Sequence, residues 1–341
     1  MKNVENIDKY GFINYLLVNG GKVAPLEVNY DDVETLASMN PSVWIKDGVG
    51  YINIRAISYN LFNSRYREYT QGDQPLSYVC RQATHLKTEN YLGTIDLDTL
   101  QIKEISKVNM LYLHDPAWWF CGLEDARIIM WDDHTYLCGV RRDIKPNGEG
   151  RMELSEIENI DGEWNEINRV RIPATGDDDA YLEKNWMPVI DKPYTWLKWS
   201  SPLEWAIYDK ETNTYETKFT GNFWRCFRGD SHVIHLDNYY YAFVHLASCN
   251  VLNSDDNARM GHYKHYIIRI NDNDMSPAGV FGPFSYDIRF SFEFGCGLAC
   301  DGENCYLTYA ENDAAAYIVK FNKELITNLE YKNDDNDSNS L

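Results

Sequence analysis

Residues 122–143 read GLEDARIIMWDDHTYLCGVRRD. A polar entry (Glu124, Asp125, Arg127) leads into an apolar run, an Asp-Asp turn follows, and a second run rich in aromatic and β-branched residues returns. That is the pattern of a β-hairpin. Four further stretches repeat it: NPSVWIKDGVGYINIRAISYN from Asn40, EKNWMPVIDKPYTWLKWSSP from Glu183, RGDSHVIHLDNYYYAFVHLA from Arg228 and FGCGLACDGENCYLTYAEND from Phe294. The tyrosines after the turns are Tyr51, Tyr136, Tyr194, Tyr240 and Tyr306, a spacing fit for propeller blades. The expectation is an all-β chain forming one five-bladed β-propeller over residues 1–331, with a central funnel as its site. A β-sandwich with five coincidental hairpins is the alternative. It leaves unexplained why charged residues recur at every entry. In a propeller the inner strands line the channel, so Asn40, Glu124, Asp125, Glu183, Arg228 and the Gly295–Gly297 turn would meet at one mouth.

The rest of the chain narrows the possibilities. Helical periodicity is scarce, and only residues 31–40 (DDVETLASMN) read as a short helix. From Lys332 onward the acidic tail has nothing to bury and reads as disordered. There are 32 Lys and Arg against 52 Asp and Glu, a formal net charge of −20, which argues against nucleic acid and anionic membranes as partners. No run approaches the length of a membrane span, and the N-terminus lacks the apolar core of a secretory signal. The expected location is the cytoplasm, with the eight scattered cysteines as buried thiols.

The entry motifs could carry chemistry. Glu124 and Asp125 are adjacent on a strand and face opposite ways, so one can reach the channel while the other pins a neighbouring blade. A channel carboxylate among aromatic rings can act as a general acid; the structural alternative is a carboxylate that holds a turn. Asp313 closes the fifth hairpin, either as a turn cap or as a second sugar-binding carboxylate. The basic residues Arg55, Arg141, Arg142, Lys184, Lys198, Arg228 and His245 would suit an anion, or would pair with Glu124, Glu183 and Asp230. Trp118, Trp119, Trp186, Trp196, Trp199, Trp205, Trp224 and Tyr309 would be mostly inter-blade core, with one or two free to stack on a sugar ring. Metal readings are weaker. Cys296, Cys300 and Cys305 lack a matching His pair and read as buried thiols, His262 and His265 read as an exposed loop pair, and Asp177–Asp179 reads as a solvated loop. No metal or cofactor is expected, and no phosphate loop, dinucleotide fingerprint or nucleophile elbow is found.

Taken in order, these motifs resemble the five-bladed β-mannoside phosphorylases (glycoside hydrolase family 130) and the related β-1,2-mannosyltransferases (glycosyltransferase family 108). The resemblance runs from about Asn40 to Asp313. It rests on Asn-Pro-Ser at 40–42 with Arg55, GLEDARI at 122–128, EKNWMPV at 183–189, RGDS at 228–231 with His245, and GCGL at 295–298 with Asp313. It implies Asp125 as the catalytic acid, passing its proton through a sugar hydroxyl, with Arg127 orienting it. Asn40, Ser42, Arg55 and Asp313 would bind the sugar, and Glu124, Glu183, Lys184 and Asn185 would complete the substrate site. Lys198, Arg228 and His245 would hold phosphate. Two departures stand out. Ala126 replaces a usual Pro, and Lys198 stands where the phosphorylases often carry His-Arg, which removes a two-pronged grip on phosphate. The implied function is an inverting transferase or phosphorylase using a sugar 1-phosphate or nucleotide-sugar donor and a glycan acceptor, with inorganic phosphate as a further partner. An inverting hydrolase, with Glu183 or Asp313 as base, and a non-catalytic glycan-binding propeller are the alternatives.

Overall fold

The computed structural model describes residues 7–30, 35, 37–61, 78–80, 85–111, 115–173, 181–212, 214–253, 258–288 and 293–333. Asp177–Asp179 and the tail beyond Asn333 lie outside them.

Five antiparallel sheets stand in a ring, one for each sequence repeat, and form a five-bladed β-propeller. Blade 1 runs from its inner strand Ala37–Lys46 through Val49–Ile57 and Leu86–Ile95 to Ile102–Lys107. Blade 2 comprises Leu123–Trp131, His134–Arg141, Arg151–Ile160 and Glu163–Arg171, and blade 3 Met187–Pro188, Thr195–Ser200, Leu203–Asp209 and Thr214–Phe219. In blade 4 the inner strand is split into Arg228–Gly229 and Ile234–Leu236, both paired with Tyr239–Asn253, which leads to Ala258–Asn271 and Pro277–Phe284. Blade 5 comprises Glu293–Asp301, Asn304–Glu311 and Ala315–Asn322. Its outermost strand is Lys22–Pro25, from the opposite end of the chain, so the ring is closed by the N-terminus.

The inner hairpins explain why the repeats were visible. Asp47-Gly48 and Asp132-Asp133 form two-residue turns in which both residues have positive φ, and Asp161-Gly162 does the same in the outer hairpin of blade 2. That geometry matches the strand twist and favours Asp, Asn and Gly. The inner strands are buried on both faces, because each blade packs against the next. Trp131, Trp186 and Trp196 fill one such interface, and Trp205, Phe227 and Phe243 are equally buried in the next two.

Several expectations are corrected. Residues 37–46 form a strand, not the end of a helix, since Ser38 and Met39 pair with Ala56 and Arg55; residues 31–34 and 36 lie outside the described ones. Two helices, Ile7–Tyr10 and Phe12–Val18, precede the propeller and bury Ile7, Phe12, Ile13, Tyr15 and Leu16 against blades 4 and 5. Cys300 and Cys305 form a disulfide instead of two thiols, because the hairpin register sets them directly opposite. Cys296 is a buried thiol. Gly295–Gly297 is a bulge within a strand, not a turn. His265 is fully buried in a strand, not on a loop. Lys332 bridges Val280 as part of the ordered fold. Among the described residues no helix is long and apolar enough to cross a membrane.

Candidate active site

Asp125 stands near the start of the inner strand of blade 2, beside a register break opposite Cys138–Val140. Its φ is 52°, and the two other entry residues Asn40 and Asn185 have φ of 44° and 63°. Asn and Asp tolerate this left-handed backbone better than other side chains do. A bulge there re-aims the side chain that would otherwise lie between blades. The repeated polar entry is therefore a repeated backbone irregularity, filled by the residue types that accept it.

The main chain around Asp125 is held from blades 1 and 4 and by Arg127 of its own strand. Asn53 Nδ2 donates to the Ala126 carbonyl at 3.0 Å and Asn90 Nδ2 to that of Leu123 at 3.0 Å. Arg127, fully buried, donates through Nη1 to the Asp125 carbonyl at 2.9 Å and through Nε and Nη2 to the Asp230 carbonyl at 2.8 and 2.5 Å. Ser42 Oγ accepts the Ile128 N–H at 2.9 Å. His232 bonds through Nε2 to the Ile128 carbonyl at 2.7 Å, and its Nδ1 accepts the Leu298 N–H at 3.2 Å. Burial lowers the pKa of His232 to about 3, so it is neutral and its tautomer is fixed by these two bonds.

The carboxylate of Asp125 accepts from Arg55 Nη1 at 2.5 Å and Asn40 Nδ2 at 2.6 Å. Arg55 also donates to Thr88 Oγ1 at 3.1–3.2 Å, to Tyr59 Oη, and to Glu124 Oε2 at 3.3 Å. Burial pushes Asp125 upward, but Arg55, Lys184, the Asn40 hydrogen bond and Arg127 outweigh it and hold the carboxyl below its usual value. Glu124 is raised, because burial outweighs the pull of Arg55, Lys184 and Arg142. Asp313 is raised to about 6 by burial and by Asp125, against the pull of Arg55 and Lys184. Three carboxyls thus share two cations, Arg55 and Lys184, at one mouth of the channel.

Buried acceptor oxygens without a hydrogen-bond partner among the described residues stand at three inner-strand entries: Asn40 Oδ1, Glu124 Oε1 and Asn185 Oδ1. They come from blades 1, 2 and 3. A buried acceptor left without a donor is costly, which points to a ligand rich in O–H groups.

The other expected site residues are placed differently. Glu183 accepts from Trp186 Nε1 at 3.2 Å and pairs with Lys198 Nζ at 3.0 Å, so both its oxygens are engaged. Lys198 is buried and also lies 3.4 Å from Glu204. Arg228 is exposed and stands opposite His245 in the register of blade 4. His245 Nδ1 bonds Asp230, whose other oxygen bonds His265 Nδ1 at 3.0 Å. Arg127 and Ser42 act on the backbone of blade 2 and have no free surface to offer a ligand. Sequence reasoning missed Thr88 and Tyr59, which clamp Arg55, and Asn53 and Asn90, which hold the Asp125 backbone. Nothing in their motifs distinguishes them from ordinary strand residues. Trp118 and Trp119 are partly exposed near Phe120, whereas Trp186, Trp196 and Trp205 are core.

Comparison of the sequence with protein-family models and with curated proteins gives no match. Solved structures do match in fold. β-1,2-Mannobiose phosphorylase from Listeria innocua superposes with a TM-score of 0.57 at 11% identity, covering 90% of this chain and 96% of that one. A structure reported for the GH130 family of mannoside phosphorylases, as containing glycoside hydrolases that target β-1,2-mannosidic linkages in Candida mannan, gives 0.58 at 11% identity over 84% and 85%. A glycosyl hydrolase from Bacteroides ovatus gives 0.56 at 11% identity over 88% and 87%. These likenesses establish the propeller fold.

Proposed function

We propose that the protein is an inverting sugar-transferring enzyme, acting on β-mannosides or closely related glycosides, with Asp125 as its acid–base residue. The observation that carries this reading is the fixed carboxylate of Asp125 beside the buried acceptors of Asn40 and Glu124 that lack a donor, with a third such acceptor, on Asn185, at the entry of blade 3. Sugar hydroxyls would supply those donors, and the names of the fold relatives point to mannosides.

Held ionised by Arg55 and Asn40, Asp125 starts in the form that can accept a proton. An acceptor hydroxyl would lose its proton to Asp125, directly or through a bound sugar hydroxyl. Its oxygen would bond to the anomeric carbon of a sugar 1-phosphate or nucleotide sugar from the face opposite the leaving group. The carbon–oxygen bond to phosphate would break, its electron pair leaving on the phosphate. In the reverse direction the protonated Asp125 would act as the acid. Arg228 and His245, with Lys198 once it exchanges a glutamate partner, are the basic groups proposed to meet the phosphate charge. Asn40, Glu124, Asn185, Lys184, Arg55 and Asp313 would bind the sugars, and Ser42 and Arg127 would hold the strand.

The test is incubation of the full chain with sugar 1-phosphates and nucleotide sugars against mannose and mannoside acceptors, read by mass spectrometry. Transfer is expected from at least one donor, and Asp125→Asn should abolish it with unchanged circular dichroism. Release of free sugar from mannosides without phosphate would identify a hydrolase instead. Wild-type turnover in Asp125→Asn would remove the assignment.

A further inference from the structure

Blade 4 carries a row of side chains across its strands. Arg228, His245, His265 and Phe284 are successive register partners, so they share one face of the sheet. Exposure falls along the row: Arg228 is exposed, His245 is 2% exposed and His265 0%. Asp230 follows the first half of the split inner strand and is fully buried. One of its carboxylate oxygens meets His245 Nδ1 and the other meets His265 Nδ1 at 3.0 Å. Its main-chain carbonyl accepts from Arg127, and its N–H donates to the Phe243 carbonyl at 3.2 Å. Each polar group of Asp230 is thus engaged inside the protein, and a ligand can reach it only through a neighbour.

Burial pushes the Asp230 carboxyl upward, but His245 and His265 outweigh it and hold it below its usual value. An ionised carboxylate only accepts, so both rings must donate through Nδ1, and Nε2 is the remaining polar atom of each. The two rings then differ. His265 Nε2 is sealed in and has no hydrogen-bond partner among the described residues. Tyr286 stacks on that ring with centroids 4.2 Å apart, and burial, opposed by Asp230, lowers its pKa, so His265 is neutral. Tyr263 stacks on His245 at 4.7 Å and Phe294 meets it edge-on at 5.6 Å, which fixes the plane of the ring. His245 Nε2 has no hydrogen-bond partner among the described residues and is the polar atom that this assembly leaves for a ligand, on the face it shares with the exposed Arg228. Phe294 lies 5.8 Å from the Arg127 guanidinium, whose Nη1 holds the Asp125 carbonyl at 2.9 Å, so the assembly borders the Asp125 strand.

We propose that Asp230 is a positioning residue: it locks His245 in the form protonated on Nδ1, so that Nε2 passes a proton to the phosphate of a sugar 1-phosphate donor as that phosphate leaves. The inference rests on the sugar-transfer reading above. When the acceptor oxygen bonds to the anomeric carbon, the carbon–oxygen bond to phosphate breaks and its electron pair stays on the phosphate oxygen. The imidazolium proton on Nε2 moves to that oxygen, so phosphate leaves as a dianion and not as a trianion. Asp125 gains the acceptor's proton and His245 loses one, and exchange with solvent resets both. Nitrogen NMR of histidine-labelled full chain gives the first reading, with the His245 signals identified by their absence in His245→Gln. The wild type should show His245 protonated on Nδ1, and inorganic phosphate should shift its Nε2 resonance; neither result depends on a variant that might not fold. In Asp230→Asn the amide can accept from one ring only and must donate to the other. A flipped His265 would bury an unpaired N–H, so the change of tautomer should fall on His245. With a sugar 1-phosphate donor, Asp230→Asn and His245→Gln should each lower kcat about a hundredfold or more. A wild-type His245 protonated on Nε2 alone, phosphate that leaves its resonances unmoved, or wild-type kcat in Asp230→Asn overturns the inference and leaves the sugar-transfer reading standing. Transfer from nucleotide sugars alone does the same, because a nucleoside diphosphate leaves without taking a proton. Transfer from no donor overturns both.

Discussion

Replacing Arg55 by Met removes one of the two cations that three carboxyls share, and its cost should depend on pH. In the native protein Arg55 lies 2.5 Å from Asp125 and 3.3 Å from Glu124, and its guanidinium is almost completely buried. A nearby arginine lowers an aspartate by about one to three pKa units, worth about 1.4–4 kcal/mol. With the folded pKa of Asp125 below its unfolded value, this stability is present above the unfolded pKa and is lost as pH falls through the folded one. Without Arg55, burial dominates and the folded pKa rises above the unfolded value, so ionisation then opposes folding as pH increases. The penalty of Arg55→Met should therefore be largest near neutrality and smaller in acid, by about 2 kcal/mol between about pH 7 and pH 4.5. Urea unfolding of both proteins at the two pH values, with the slopes compared, measures it. A penalty equal at both pH values would show that Arg55 acts through packing and its bonds to Thr88 and Tyr59, and would refute the charge-sharing account.

Further outcomes follow from the same geometry. If sugar transfer is found, its pH–rate profile should show an inflection near the Asp313 pKa of about 6, with Asp313 ionised above it, and Asp313→Asn should remove that inflection. Phe12→Ala, at a fully buried position on the second helix, should cost about 3–5 kcal/mol in urea unfolding although the residue lies outside every blade. Gly297→Ala would set a Cβ 2.5 Å from the Val43 nitrogen and 2.9 Å from the Ser42 Cα, and should destabilise the contact between blades 5 and 1 by about 1–3 kcal/mol, again read by urea unfolding.

The propeller was legible because each inner hairpin carries its own local signals. Turns such as Asp47-Gly48 and Asp132-Asp133 announce themselves, and polar residues recur at bulges that only a few side chains tolerate. Asn40, Asp125 and Arg55 could be grouped for the same reason, and they do bond to one another. What lacked a local signal stayed hidden. The closing strand Lys22–Pro25 contains a proline and buries only Ala24, and its partner strand is almost the whole chain away. FINYLLV at 12–18 buries Phe12, Ile13, Tyr15 and Leu16 on one face, but the exposed Leu17 and Val18 leave the other face without the polar residues that would mark an amphipathic helix in the sequence. Residues 37–40 show the opposite failure: a plausible helical composition lost to pairing with the strand Val49–Ile57. The basic residues were the hardest to assign, because a charge at a strand end reads the same whether it awaits a ligand, as proposed for Arg228, or is spent on two glutamates, as with Lys198.

Arg127 shows how the fold and the site constrain one another. Its guanidinium spends its hydrogen bonds on the carbonyls of Asp125 and Asp230 and, among the described residues, makes none to a side-chain carboxylate. Asp230 in turn holds His245 and His265. The carboxylate in blade 2 and the imidazoles in blade 4 are therefore fixed relative to each other through main chain, not through a mobile ion pair. That coupling spans the channel only while the ring is shut, and blade 5 is shut by four residues from the N-terminus. A change that loosens Lys22–Pro25 should reach Asp125 through blade 5, where the Cys296 thiol lies 3.8 Å from the Asp125 carbonyl and the Leu298 N–H holds His232. The distance between the proton-handling carboxylate and the groups proposed to meet phosphate is thus set by closure of the ring and not by any one blade.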